Sequence, residues 1–175
     1  LALAALAVAK GLAVKRVISG DPLALPAELQ AQACETDRQW IWDGVKFRLW
    51  QWSSAGDSNQ KSCVLQIEAN GERLLLTGDI DAAAERSLLD SPLAVPTDWL
   101  QAPHHGSRSS SSMALLNGLQ PKAVLISRGH GNSFGHPHPT VVARYLKRGI
   151  AIHDSAHEGA IHLQLGRFES PRSMR

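Results

Sequence analysis

The chain has 175 residues, 43% of them hydrophobic and 19% charged, with a formal net charge of +2. That is long enough for one domain with a core of its own, and the composition excludes a disordered chain or a membrane bundle. The near-neutral charge neither demands nor excludes a nucleic-acid partner, because local patches decide that.

The opening LALAALAVAK reads as a helix over Leu1 to Ala9, ended by Gly11. Lys10 and then Lys15-Arg16 interrupt it before the ~18 apolar residues of a membrane span, and the basic residues stand on the wrong side for a signal peptide. With no initiating methionine, the start reads as part of something longer. Val14 to Ile18 is expected to be a short buried strand, followed by the breaker Gly20-Asp21-Pro22 and irregular chain to Thr36. Trp40 and Trp42, then Asp43-Gly44, then Val45, Phe47 and Leu49 form the alternating pattern of a β-hairpin.

After a polar loop to Lys61, strands are expected over Ser62 to Glu68 and Arg73 to Thr77, with Asn70-Gly71 as their turn. Ala82 to Leu89 is a helix by its apolar spacing. Trp99 to Ala102 is a short strand, Ser112 caps a helix to Leu119, Ala123 to Ser127 is a strand, and Thr140 caps a helix to Lys147. Ile150 to His153 and Ala160 to Leu165 complete the strands. Hairpins first and strand–helix alternation afterwards fit a layered α/β domain. Residues 1–168 form it, and 169–175 are expected to fray.

Histidine is the compositional signal: there are eight, six of them between His130 and His162. Asp79, in LLLTGDI, is a carboxylate at the carboxyl end of an apolar strand, where α/β sheets bind ligands; the alternative is a cap on the next helix. QAPHHGS places His104 and His105 at another strand end, and neutral imidazole is the commonest transition-metal ligand. In GNSFGHPHP, Pro137 and Pro139 lock His136 and His138 into an extended segment suited to substrate contact or proton donation. Cys34 and Cys63 lack zinc-ligand spacing and are either two small buried apolar residues or one disulfide.

Taken together, TGD, HHGS, ISRGHGNSFGHPHP and HDSAHEGAIHL resemble the carboxyl-terminal metallo-β-lactamase-like domain of ComEC-type DNA-internalisation competence proteins. The resemblance implies an αββα sandwich acting as a metal-dependent nuclease on incoming DNA, on a parent that is an inner-membrane channel. Its soluble domain would face the periplasm. Asp79 then looks like a bridging metal ligand and catalytic residue, His105 a second ligand, His104 a further ligand, its support or a residue that faces away, and His136 a catalytic group. Ser107, Asn132, His136 and His138 look like substrate contacts. Mn or Zn, as two ions in the complete domain, would be the metal, with no small-molecule cofactor; DNA and the channel portion of the parent would be the partners.

Two departures from the family stand out. Asn59 and Ser62 lie where other branches place a histidine, and the HxHxDH signature is missing, which by the resemblance stands just before Leu1. The amino-terminal strands and first metal motif are therefore expected to be lacking, leaving weak or no metal binding, an inactive fragment and an exposed sheet edge or face. The other readings are a phosphoesterase with a different substrate, or a degenerate domain that binds DNA or a partner without cleavage. Arg108, Lys122, Arg128, Arg144 and Lys147 are candidate phosphate contacts, with a solvated helix face as the alternative for Arg144 and Lys147. An extracytoplasmic domain also favours a Cys34–Cys63 disulfide, stabilising by roughly 3 to 4 kcal/mol through loop closure.

Overall fold

The structure is a computed structural model that describes residues 2–167 and 171–174. Helix α1 spans Ala2–Gly11; the first residue of the helix expected from Leu1 lies outside the described residues. Only the end of the expected strand at Val14 to Ile18 forms, as β1 (Ile18–Ser19), which pairs in parallel with β2 (Gln32–Ala33). Lys15 and Arg16 break the apolar run, and Val14 to Arg16 are exposed rather than buried.

The main sheet has seven strands in sequential order: β3 (Gln39–Trp42), β4 (Val45–Trp50), β5 (Val64–Ala69), β6 (Glu72–Leu76), β7 (Trp99–Gln101), β8 (Ala123–Ile126) and β9 (Ala151–Asp154). β3 to β6 form an antiparallel meander, and β6 to β9 are parallel. Asp43 and Gly44, at φ 48° and 78°, and Asn70 and Gly71, at 50° and 83°, make its two tight turns. Both central residues are left-handed in each, the backbone that matches strand twist.

The parallel connections carry α2 (Ala82–Leu89), α3 (Met113–Leu119) and α4 (Pro139–Lys147). In register, Trp50 lies opposite Val64, Leu75 opposite Leu100, Leu100 opposite Val124 and Val124 opposite Ile152. These side chains share one face and pack with Leu88 of α2, Leu115 and Leu119 of α3, and Val141 and Tyr145 of α4. Each such apolar side chain contributes about 1.5–3 kcal/mol on burial.

The opposite face is also apolar but less covered: Phe47, Leu65, Ile67, Leu74, Leu76 and Leu125 are only half-buried. Trp40 stacks on Phe47 there with centroids 5.0 Å apart, and β3 leaves Ile41 70% and Trp42 69% exposed at the sheet edge. The expectation was an exposed edge or face: the edge is exposed at β3, and the face beside it is half-buried.

The Cys34–Cys63 disulfide joins the segment before β3 to the start of β5, with Cα atoms 5.9 Å apart. Beyond β9, α5 (Ser155–Glu158) leads into β10 (Ala160–His162), which stops short of Leu165. The tail does not simply fray: Arg172–Met174 forms β11, antiparallel to β10, while residues 168–170 lie outside the described residues. No helix among the described residues is long and apolar enough to cross a membrane.

Candidate metal centre

The site is built at the carboxyl ends of β6, β7 and β8. Thr77 is buried and its Oγ1 donates to the Gln101 carbonyl at 3.0 Å, tying the end of β6 to that of β7. Gly78 then turns with φ +59°, and a Cβ there would stand 2.8 Å from Ser62 Cβ. The missing side chain lets Ser62 Oγ accept the Asp79 N–H at 3.0 Å. The helix-cap alternative for Asp79 falls to its neighbour, because Asp81 Oδ1 accepts from the N–H groups of Ala83 and Ala84 at 2.9 and 3.0 Å.

His104 and His105 have φ of 49° and 55°, and Gly106 follows at 81°. For residues with a Cβ that region costs roughly 1–2 kcal/mol each, and such strain persists where the surroundings hold it. Here they do: the His104 N–H donates to the Gly78 carbonyl at 3.0 Å and Ser110 Oγ donates to the Pro103 carbonyl at 2.6 Å. The bend sends the two rings apart. His105 Nδ1 lies 2.7 Å from the Ser127 carbonyl and its Nε2 lies 3.5 Å from Asp79 Oδ1. A carbonyl only accepts, so Nδ1 carries a proton and Nε2 is the ring atom turned toward the carboxylate, the arrangement that orients a metal-binding histidine.

His104 instead meets His136 edge-on with centroids 5.8 Å apart, and the Nδ1 atoms of both are buried without a protein partner. Burial holds the His136 pKa below its usual value, reinforced by His104, His105 and His138 and opposed by Asp79. His136 is therefore neutral at pH 7. Phe134, 81% exposed, stacks on its ring with centroids 6.0 Å apart.

The profile of the metallo-beta-lactamase superfamily matches residues 33–130, more than half of the chain and inclusive of Asp79 and both adjacent histidines. The chain belongs to that superfamily. It is 37% identical over 134 residues to Competence protein ComA of Neisseria gonorrhoeae, covering 75% of this chain and 19% of that protein. It is 30% identical over 132 residues to Recombination protein 2 of Haemophilus influenzae, covering 74% of this chain and 16% of the relative. The chain thus spans less than a fifth of these relatives. Igni18, a novel metallo hydrolase from Ignicoccus hospitalis, shares the fold with a TM-score of 0.56 at 16% identity, over 86% of this chain and 69% of its own. The fold is that of the metallo-β-lactamases, and the likeness to competence proteins read from the motifs holds.

The residues present fit part of a superfamily metal site. Two donors bound about 2.0–2.1 Å from a tetrahedral ion stand roughly 3.4 Å apart, close to the observed 3.5 Å between His105 Nε2 and Asp79 Oδ1. Among the described residues no group of three or more His, Cys, Asp or Glu has the geometry to hold an ion. The pair would supply two donors of such a set.

Other expected site residues serve the scaffold. Asn132 spends both amide atoms on the backbone of His136, accepting its N–H at 3.0 Å and donating to its carbonyl at 2.8 Å, and so positions that histidine. His138, not Thr140, is the N-cap of α4, its Nδ1 accepting the Thr140 N–H at 3.2 Å. Pro139 at the first helical position moves the cap back to His138. Ser107 Oγ lies 3.2 Å from Ser109 Oγ, and the Ser107 N–H closes the turn on the His104 carbonyl.

The basic residues are largely engaged as well. Lys122 Nζ pairs with Asp98 at 2.7 Å and Arg128 Nε with Asp154 at 2.8 Å. Arg144 is not a solvated helix residue: its Nη1 donates to the carbonyls of Ser110 and Ser111 at 2.9 and 3.1 Å. The side-chain pattern gave no sign of Ser127, which acts through its carbonyl. Ser62 stands out in the sequence as the start of a strand and as a position where a histidine is expected, not as a partner of Asp79.

Proposed function

We propose that the chain is the metal-dependent nuclease module of a DNA-uptake competence protein, hydrolysing phosphodiester bonds in one strand of incoming DNA. The observation that carries this reading is the Asp79–His105 pair: a carboxylate 3.5 Å from an imidazole nitrogen whose tautomer a backbone carbonyl fixes. Asp79 and His105 would hold a divalent ion, Zn or Mn, within a two-ion set completed by the HxHxDH motif of a longer polypeptide. When bound, such ions lower the pKa of water and neutralise charge on phosphate oxygens. Neutral His136 is suited to donate a hydrogen bond to a phosphate oxygen or leaving group, with Asn132 fixing its backbone. Arg108, exposed in the loop that follows the histidines, is suited to contact phosphate without reading sequence.

The names of the competence-protein relatives support DNA as the partner, and the disulfide fits an oxidising compartment such as the periplasm, beside a channel portion in the membrane. The two-donor set favours a second reading, a module that binds DNA without cutting it. Labelled DNA and bis-p-nitrophenyl phosphate, each with Zn²⁺ or Mn²⁺, test both readings. They are offered to the chain alone and to a longer polypeptide carrying it with an intact HxHxDH motif. Cleavage of DNA by the longer protein supports the nuclease, cleavage of the small diester alone points to another phosphoesterase, and cleavage of neither overturns both enzyme readings.

A further inference from the structure

The serine run behind the histidines is neither a flexible linker nor a solvent loop. Ser110 and Ser111 are 1% and 0% exposed, and their polar groups are met from two helices. From α2, Glu85, itself 0% exposed, accepts the N–H groups of Ser111 and Ser112 on its two carboxylate oxygens. From α4, Arg144 takes the carbonyls of Ser110 and Ser111, and the Tyr145 hydroxyl lies 2.6 Å from Ser111 Oγ. Ser110 Oγ passes the constraint on, lying 2.6 Å from the Pro103 carbonyl, to which it donates, and 2.9 Å from the Ser107 carbonyl, on either side of the two histidines.

A buried carboxylate is costly unless its hydrogen bonds are made. Those of Glu85 go to the loop backbone, which is far more than packing α2 would require. Burial pushes its pKa up, while Ser112, Ser111 and Arg144 act in the opposite direction. Meanwhile His104 and His105 stay in a left-handed backbone that a free loop would relax.

We infer that Glu85 and Arg144 are positioning residues for the metal pair, a two-sided clamp on Ser110–Ser112 that holds His105 in register with Asp79 and Ser127. This rests on the metal reading of Asp79 and His105, but the clamp itself can be observed without metal.

The test compares Glu85→Gln and Arg144→Met with Leu93→Ala, the truncation of a core residue that is neither in the loop nor in the clamp. Glutamine keeps the size but puts an amide donor against a backbone donor. Two signals are read by NMR in the metal-free chain: the tautomer of His105, and hydrogen exchange at the His104 and Ser107 amides relative to the sheet amides. Both clamp variants are expected to raise loop exchange at least tenfold while sheet exchange changes less, and to replace the single Nδ1–H tautomer of His105 with a mixture. Leu93→Ala is expected to lower the melting temperature without that local signature. Zn²⁺ affinity, where titration detects it in the parent chain, should fall roughly tenfold or more in both clamp variants.

If both clamp variants lower the melting temperature yet leave the His105 tautomer and relative loop exchange as in the parent, the clamp is only structural and the inference is wrong. Should Glu85→Gln fail to fold, Arg144→Met decides by the same signals. Absence of Zn²⁺ binding by a longer polypeptide that carries the chain with an intact HxHxDH motif, with the exchange signature intact in the chain, would sink the metal reading and leave the clamp standing.

Discussion

The N–H of His138 donates to the carbonyl of Gly106 at 2.8 Å, so the two loops that carry five of the eight histidines are one hydrogen-bonded unit. Gly106 has φ +81°, and a Cβ on it would lie 2.7 Å from Pro137 Cβ. Gly106→Ala therefore meets both backbone strain and a clash with a rigid ring. The expected cost is about 1–3 kcal/mol in urea unfolding, with His104 and His136 moved apart. An alanine variant of parental stability would show that the loops are not locked together here.

Asp79→Ala separates function from fold. The Asp79 backbone N–H, not its carboxylate, bonds Ser62, and the side chain is 31% exposed. Stability should change by no more than about 1 kcal/mol, while any metal-dependent cleavage by a polypeptide carrying the chain should be lost. Retained cleavage would remove Asp79 from the metal site.

Reduction of Cys34–Cys63, 29 residues apart in sequence, is expected to lower stability by about 3–4 kcal/mol on the loop-closure argument. Thiol titration of the denatured, non-reduced chain checks the premise, and two free thiols would refute it. Because Cys63 adjoins Ser62, reduction should also loosen the hydrogen bond to Asp79, seen as faster exchange of that amide.

Glu68 gives a pH dependence of defined sign. Its hydrogen bond from Lys46 and a second from Arg73 hold its pKa below the usual 4.5. A depressed folded pKa means the pair stabilises above about pH 4.5 and loses its contribution as pH falls through the folded value. Lys46 is 63% exposed, so solvent screening keeps the pair below roughly 1 kcal/mol. Lys46→Met should be slightly less stable than the parent at pH 7, and the gap should narrow toward pH 3. A gap that widens on acidification would contradict the assignment.

Much of the architecture was legible because its signals are local. The Asp-Gly and Asn-Gly pairs fix their turns through backbone conformation at two residues, and α2 came out at Ala82–Leu89 as its apolar spacing indicated. Asp79 and His105 were legible as chemistry at strand ends. Two misses were local: Lys15 and Arg16 interrupt the apolar run at Val14, and Pro139 moves the cap from Thr140 to His138. The other misses were long-range: the roles of Ser127, Glu85 and Arg144 depend on contacts between a side chain and a backbone atom 22 to 34 residues apart, which a side-chain pattern cannot display.

The open sheet face also gives the molecule an optical handle. Of five tryptophans, Trp50 and Trp99 are 5% and 1% exposed, whereas Trp40 and Trp42 stand 36% and 69% exposed on that face. The emission of the chain should therefore carry a red-shifted component that iodide quenches. Anything that settles on the face, whether another segment, a second copy or a partner, would announce itself as a blue shift without any label.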